Sequence, residues 1–345
     1  MSDVRHEARL EARHLSRHFV VRSGHGFVRP KRIVRAVDDV SLALRERRVT
    51  AVVGESGSGK SVLARMLARI VTPTSGELVL DGTTIELGSP RDLAYASEVQ
   101  LVLQDPFASI NPVHRIANSL ARPLAIHGIP KAELGDRMRA ALSRVSLEPP
   151  DRYLDRYPHE LSGGQLQRVS IARALCVNPK VLLADEPISM LDVSVRLGVL
   201  NLLRGLCDDE QLAVLYITHD IASARYIADE TIVMYAGNVV ERSEGTALID
   251  SPAHPYTQLL ISSVPDPSDP LRRAPEIEDR AGQGIFPDVG CRFAPRCPHA
   301  MEVCRTSAPP MFEVAVGHEA RCWLHESAVK VSVTGREQGG NISTT

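Results

Sequence analysis

Residues Gly54-Glu55-Ser56-Gly57-Ser58-Gly59-Lys60-Ser61 combine three glycines, a lysine and a hydroxyl at a spacing suited to phosphate. Glycines let a loop turn successive backbone N–H groups inward as an anion nest. A helix beginning after the loop adds its positive end. Lys60 is placed to reach the β- and γ-phosphates, and the Ser61 hydroxyl to ligate Mg²⁺. The apolar run Val181–Ala184 then ends in two carboxylates, Asp185 and Glu186. Asp185 is expected to hold Mg²⁺, directly or through water, and Glu186 to polarise an attacking water as general base. Gln104 and His219 each follow an apolar run, Val99–Leu103 and Leu212–Ile217. Both are thereby expected at strand ends, where open parallel sheets collect their ligands. Together these residues predict a nucleotide triphosphate site with hydrolytic chemistry.

The elements needed to position them are readable. Arg48 to Val53 is a short β-branched run ending at Gly54, and Lys60 to Ile70 carries Leu63, Met66, Leu67 and Ile70 at helical spacing. Strand, glycine loop and helix are the context a phosphate loop requires. Residues 14–50 read as a small antiparallel sheet, Asp81-Gly82 and Gly237-Asn238 as hairpin turns, and residues 112–160 as mainly helical. Ser162 is expected to cap a helix running to about Cys176. A second helix is expected from about Val193 to Asp208.

With 345 residues, 43% of them hydrophobic and 24% charged, the chain has ordinary globular composition and a soft prior of about two domains. A net charge of −2 gives no electrostatic case for nucleic-acid binding. No stretch approaches the roughly 20 apolar residues that cross a bilayer. Arg5, Arg9, Arg13 and Arg17 recur every fourth residue and predict a solvated, partly helical arm. Cys176 and Cys207 are isolated and expected to be buried. From about Pro252 the composition turns Pro-rich, then Cys291, Cys297, Cys304 and Cys322 cluster. The last dozen residues are polar and are expected to form a disordered tail.

Between the phosphate loop and the acidic strand lies Leu161-Ser162-Gly163-Gly164-Gln165. This pentapeptide resembles the signature of ATP-binding cassette (ABC) ATPases. The resemblance implies an α/β fold: a P-loop (RecA-like) core with an antiparallel β subdomain, an inserted helical subdomain and a cysteine-containing C-terminal extension. The expected boundaries are 1–104 and 177–250 for the core, 105–176 for the helical part, 251–330 for the extension and 331–345 for the tail. It implies that Ser162, Gly163, Gly164 and Gln165 act in trans, on ATP held by a second subunit. Gln104 then resembles the glutamine that touches Mg²⁺ and water, and His219 the switch histidine at the γ-phosphate. Val62 stands where a hydroxyl is common, so only its backbone N–H is left for the α-phosphate. Phe19 is the expected adenine platform, with Phe27 as competitor.

Gln104-Asp105-Pro106-Phe107-Ala108-Ser109-Ile110-Asn111-Pro112, Tyr157-Pro158-His159-Glu160 and His254-Pro255-Tyr256-Thr257 resemble the oligopeptide/dipeptide importer ATPases, and the intact signature their F-type member. That implies uptake of peptides, with nickel chelates or oligosaccharides as alternatives and a non-transport ABC ATPase further off. It implies partners: a second ATPase subunit, related or identical, two membrane permeases and an external solute-binding protein, at the cytoplasmic face of the membrane. Arg45-Glu46-Arg47-Arg48 departs from a usual glycine-containing turn. The cysteine gaps of five, six and seventeen residues lack a C-x₂-C pair. Resemblance of the Cys291–Pro298 segment favours a [4Fe–4S] cluster, with Zn²⁺ or free thiols as alternatives.

Overall fold

The computed structural model describes residues 8–22, 31–87, 92–263 and 286–326. Two long strands, β1 (Ala8–Arg22) and β2 (Lys31–Arg45), pair antiparallel. Then come β3 (Val49–Val53), α1 (Lys60–Leu67), and the hairpin β4 (Ser75–Leu80) and β5 (Thr83–Ile85). A four-stranded antiparallel sheet results, in the order β2-β1-β4-β5. The arm expected to be partly helical is thus strand: Arg9, Arg13 and Arg17 all lie on β1, and Arg5 falls outside the described residues. Pairing on two sides overrides the four-residue arginine rhythm, because Leu10, Ala12 and Leu15 bury into the core beneath. Register shifts between Ala12 and Arg17 disguise the two-residue alternation.

The chain continues through α2 (Leu93–Glu98), β6 (Val99–Val102), α3 (Pro106–Ser109), α4 (Ile116–Ile126), α5 (Lys131–Arg144) and α6 (Asp151–Leu154) to α7 (Gly163–Leu175). Next are β7 (Val181–Asp185), α8 (Val193–Asp209), β8 (Ala213–Thr218), α9 (Ile221–Ile227), β9 (Glu230–Tyr235) and β10 (Asn238–Glu244). Strands β9, β3, β8, β7 and β6 are parallel neighbours in an eight-stranded sheet. Both its faces are covered, which explains the unbroken apolar runs. Val214 and Tyr216 of β8 enter the core shared with α7 and α8, while Ala213, Leu215 and Ile217 enter the core shared with α1 and the antiparallel sheet.

The turn at Arg45–Arg48 does without glycine because Arg47 itself takes φ 57°. Cys176 and Cys207 are buried, and burial pushes both thiols up to about 12.

After β10 come α10 (Ala247–Asp250), α11 (Pro255–Ser262), α12 (Glu302–Thr306), β11 (Phe312–Ala315) and β12 (His318–Ala320). The last two strands continue the main sheet beyond β10. Glu241 of β10 is fully buried and accepts from the Ala253 and His254 N–H groups, with His318 Nε2 at 2.7 Å. His254 caps α11, its Nδ1 accepting from the Tyr256 N–H at 3.0 Å. Burial, reinforced by His325, pushes the His254 imidazole down to about 3. It is therefore neutral when folded, and the stability this gives is complete above the unfolded value near 6.5 and lost as pH falls from there towards 3. Between pH 7.5 and 5.5 it should account for roughly 1 kcal/mol of lost stability. Urea unfolding of His254→Asn, which keeps an acceptor at the cap, should show that much less pH dependence than the parent.

Candidate nucleotide site

The glycine loop runs from the end of β3 into α1. Gly59 has φ 105°, and a Cβ there would lie 2.1 Å from the Ala36 carbonyl oxygen, so only glycine fits. The Gly237 N–H donates to the Ser58 carbonyl at 2.9 Å, which ties the loop to the β9–β10 hairpin. Lys60 is buried and folds back on the loop, its Nζ donating to the Gly54 carbonyl at 2.7 Å and the Glu55 carbonyl at 2.9 Å. Burial lowers its pKa, opposed by Glu186, Asp185 and Glu55.

Parallel β6, β7 and β8 deliver the other groups to one sheet end. The Ser61 Oγ donates to Asp185 Oδ1 at 2.9 Å, joining the start of α1 to the end of β7. Asp185 is buried, and desolvation raises its pKa despite that hydrogen bond. Such a carboxylate gains from a nearby cation. Glu186 follows with φ 48°, a strained value for a side chain of its size. Its N–H donates to the Ile217 carbonyl at 2.9 Å, which holds it beside β8. Gln104 Nε2 donates to Glu186 Oε2 at 3.2 Å, and His219 Nδ1 lies 3.1 Å from Glu186 Oε1. The loop, both acids, Gln104 and His219 therefore converge.

The segment 161–165 forms the start of α7. Ser162 Oγ accepts from the Gln165 N–H at 3.3 Å, and Gln165 Oε1 accepts from the Ser162 N–H at 3.1 Å. This reciprocal box fixes the tip while the N–H groups of Gly163 and Gly164 sit in the helix's first turn. A Cβ on Gly164 would meet Val195 Cγ1 of α8 at 2.4 Å.

Phe19 is half-buried on β1, opposite Val34 of β2, with the Arg17 guanidinium 4.6 Å from its ring centroid. Ala36, two residues beyond Val34, is the residue crowding Gly59. Phe27 lies outside the described residues.

The metal expected at the cysteines is not supported. Cys291, Cys297, Cys304 and Cys322 do line one pocket, with His254, His299 and Phe293. Among the described residues, no group of three or more Cys, His, Asp or Glu is arranged to hold a metal ion. Burial raises the Cys291 and Cys297 thiols, and Cys322 up to about 11. Neither an iron–sulfur cluster nor zinc is supported by this arrangement.

Two contacts lie outside the sequence motifs. The Tyr256 hydroxyl accepts from the Glu55 N–H at 2.8 Å, and Arg296 donates to both Glu55 carboxylate oxygens at 2.9 and 3.0 Å. The His254–Thr257 phrase had marked only a family, and about 200 residues of separation hid the rest.

Residues 37–189 match the ABC transporter family profile, and residues 240–304 the oligopeptide/dipeptide transporter C-terminal region. A putative peptide import ATP-binding protein of Brucella ovis is 40% identical over 316 residues, covering 91% of this chain and 96% of that one. The chain belongs to the ABC transporter ATP-binding family. The oligopeptide transport ATP-binding protein AppF of Bacillus subtilis is 38% identical over 331 residues, 94% of this ABC ATPase and 100% of AppF. A solved dimeric ATP-binding cassette in a post-hydrolysis state, bound to ADP and Pi, superposes with TM-score 0.57 at 27% identity, covering 68% of this chain and 98% of that one. No helix among the described residues is long and apolar enough to cross a membrane.

Proposed function

We propose that this ABC ATPase couples ATP binding and hydrolysis to uptake of short peptides through partner permeases. The observation that carries the chemistry is Glu186 held between Gln104 and His219, beside the bonded Ser61–Asp185 pair. In this reading Lys60 leaves the Gly54 and Glu55 carbonyls for the β- and γ-phosphates. Backbone N–H groups from Gly54 to Val62 line the phosphates. Ser61, Asp185 and Gln104 offer hard oxygen donors of the kind Mg²⁺ prefers, and that ion would neutralise charge on the transferred phosphoryl group. Glu186 takes the proton of the attacking water, and His219 and Gln104 orient it.

The tip of α7, with Ser162, Gly163, Gly164 and Gln165, serves the ATP of a second ATPase subunit. Supporting such a pairing, Met190 and Val193 beside the tip are large apolar side chains left exposed. Phe107 and Val113, just after Gln104, are likewise exposed and suit a permease contact. The named relatives and the matched C-terminal region support peptide as the substrate; an external binding protein and a place at the cytoplasmic face of the membrane belong to the same proposal. Reconstitution in vesicles with its partner permeases and binding protein should give ATP-dependent uptake of labelled di- or oligopeptides. Uptake of nickel chelates or oligosaccharides in their place would overturn the substrate reading.

For the base platform, Phe19→Ala should raise KM for ATP about tenfold, within the range for base–aromatic stacking, while Phe19→Trp should retain affinity. An unchanged KM in steady-state assays would remove Phe19 from the site.

A further inference from the structure

We infer that Tyr256 and Arg296, both in the C-terminal region, are positioning residues for the phosphate loop and act through Glu55. The inference rests on the reading that this loop holds the triphosphate. Glu55 is gripped twice from the extension. Its backbone N–H is taken by the Tyr256 hydroxyl, and its carboxylate by both ends of the Arg296 guanidinium. The same residue's carbonyl is one of the two that hold Lys60. A displacement of Glu55 therefore moves the resting point of the lysine.

The grip is built on a rigid base. The Tyr256 ring is fully buried, its centroid 4.6 Å from that of Tyr235 on β9 and 5.6 Å from that of Phe293. Arg296 also reaches the Tyr235 hydroxyl at 3.4 Å. Nearby, Arg292 bonds Asp38, which follows β2's contact with the loop. The charge arrangement has its own consequence. A carboxylate in a loop that receives a triphosphate would repel it, and a bidentate guanidinium cancels that charge at its source. Tyr256 thus sets where the loop backbone lies, and Arg296 removes a local anion.

The test uses the full-length protein and titrates ATP by isothermal calorimetry, with thermal unfolding in parallel. Arg296→Gln should weaken ATP binding about tenfold, the scale of one charge-assisted hydrogen-bond pair. Tyr256→Phe should weaken it about threefold or more, with melting temperatures within a few degrees of the parent. Glu55→Gln combined with Arg296→Gln should restore much of the lost affinity, because the uncompensated charge is gone. Unchanged affinity in both single variants would overturn the inference. So would a double variant as weak as Arg296→Gln alone, the mark of a staple whose loss only loosens the fold. Lys60→Ala serves as control: should it bind ATP as tightly as the parent, the underlying loop reading fails instead.

Discussion

Glu186→Gln is expected to lower ATP turnover about 10²- to 10⁴-fold while leaving ATP binding intact, the range for removing a positioned general base. The substitution keeps size and hydrogen-bonding reach. Gln104 and His219 still have a partner at 3.1–3.2 Å, so the site should not collapse. Only the proton acceptor is lost. Binding should survive because the phosphate loop, Lys60 and the Ser61–Asp185 pair are untouched. Single-turnover phosphate release in the assembled complex is the measurement. Release at the parental rate would take the base away from Glu186.

Gly164→Ala is expected to cost nearly as much by a different route. Its added methyl carbon would lie 2.4 Å from Val195 Cγ1, well inside contact distance. Valine in a helix is held close to one rotamer, so Val195 of α8 does not simply turn away. The tip of α7 must move. If that tip completes a partner's ATP site, hydrolysis should fall by a large part of the 10³–10⁵ attributed to donors supplied in trans in related phosphoryl transfer. ATP binding to the variant's own loop should persist. Adding Val195→Ala opens the space and should recover most of the turnover. ATPase rates of the single and double variants decide the matter; a fully active Gly164→Ala would place the tip away from the chemistry.

The contiguous motifs were legible because each carries its chemistry within a few residues. The phosphate loop, the acidic pair after β7 and the Ser162 cap need only local context, and that context, strand or helix, was written in the apolar pattern. What escaped was set at long range. The four-residue spacing of the arginines suggested helix, yet β1 is decided by pairing with β2 and β4, and its bulges hide the alternation. The strands at 312–320 are too short to announce themselves without β10 beside them. Cysteine clustering in sequence did bring four thiols to one pocket, but the metal expected of them is not supported there. Tyr256 reaches Glu55 only because the fold returns a segment from beyond residue 250 to the first nucleotide motif.

The two strands that join the main sheet after β10 bear on how the polypeptide may be dissected. Cutting the gene before them would bare the hydrogen-bonding rim of β10, an open ribbon ready to zip onto any passing chain. It would also strip the buried Glu241 of its partner His318. What looks in sequence like a detachable appendage is a seam of the engine casing.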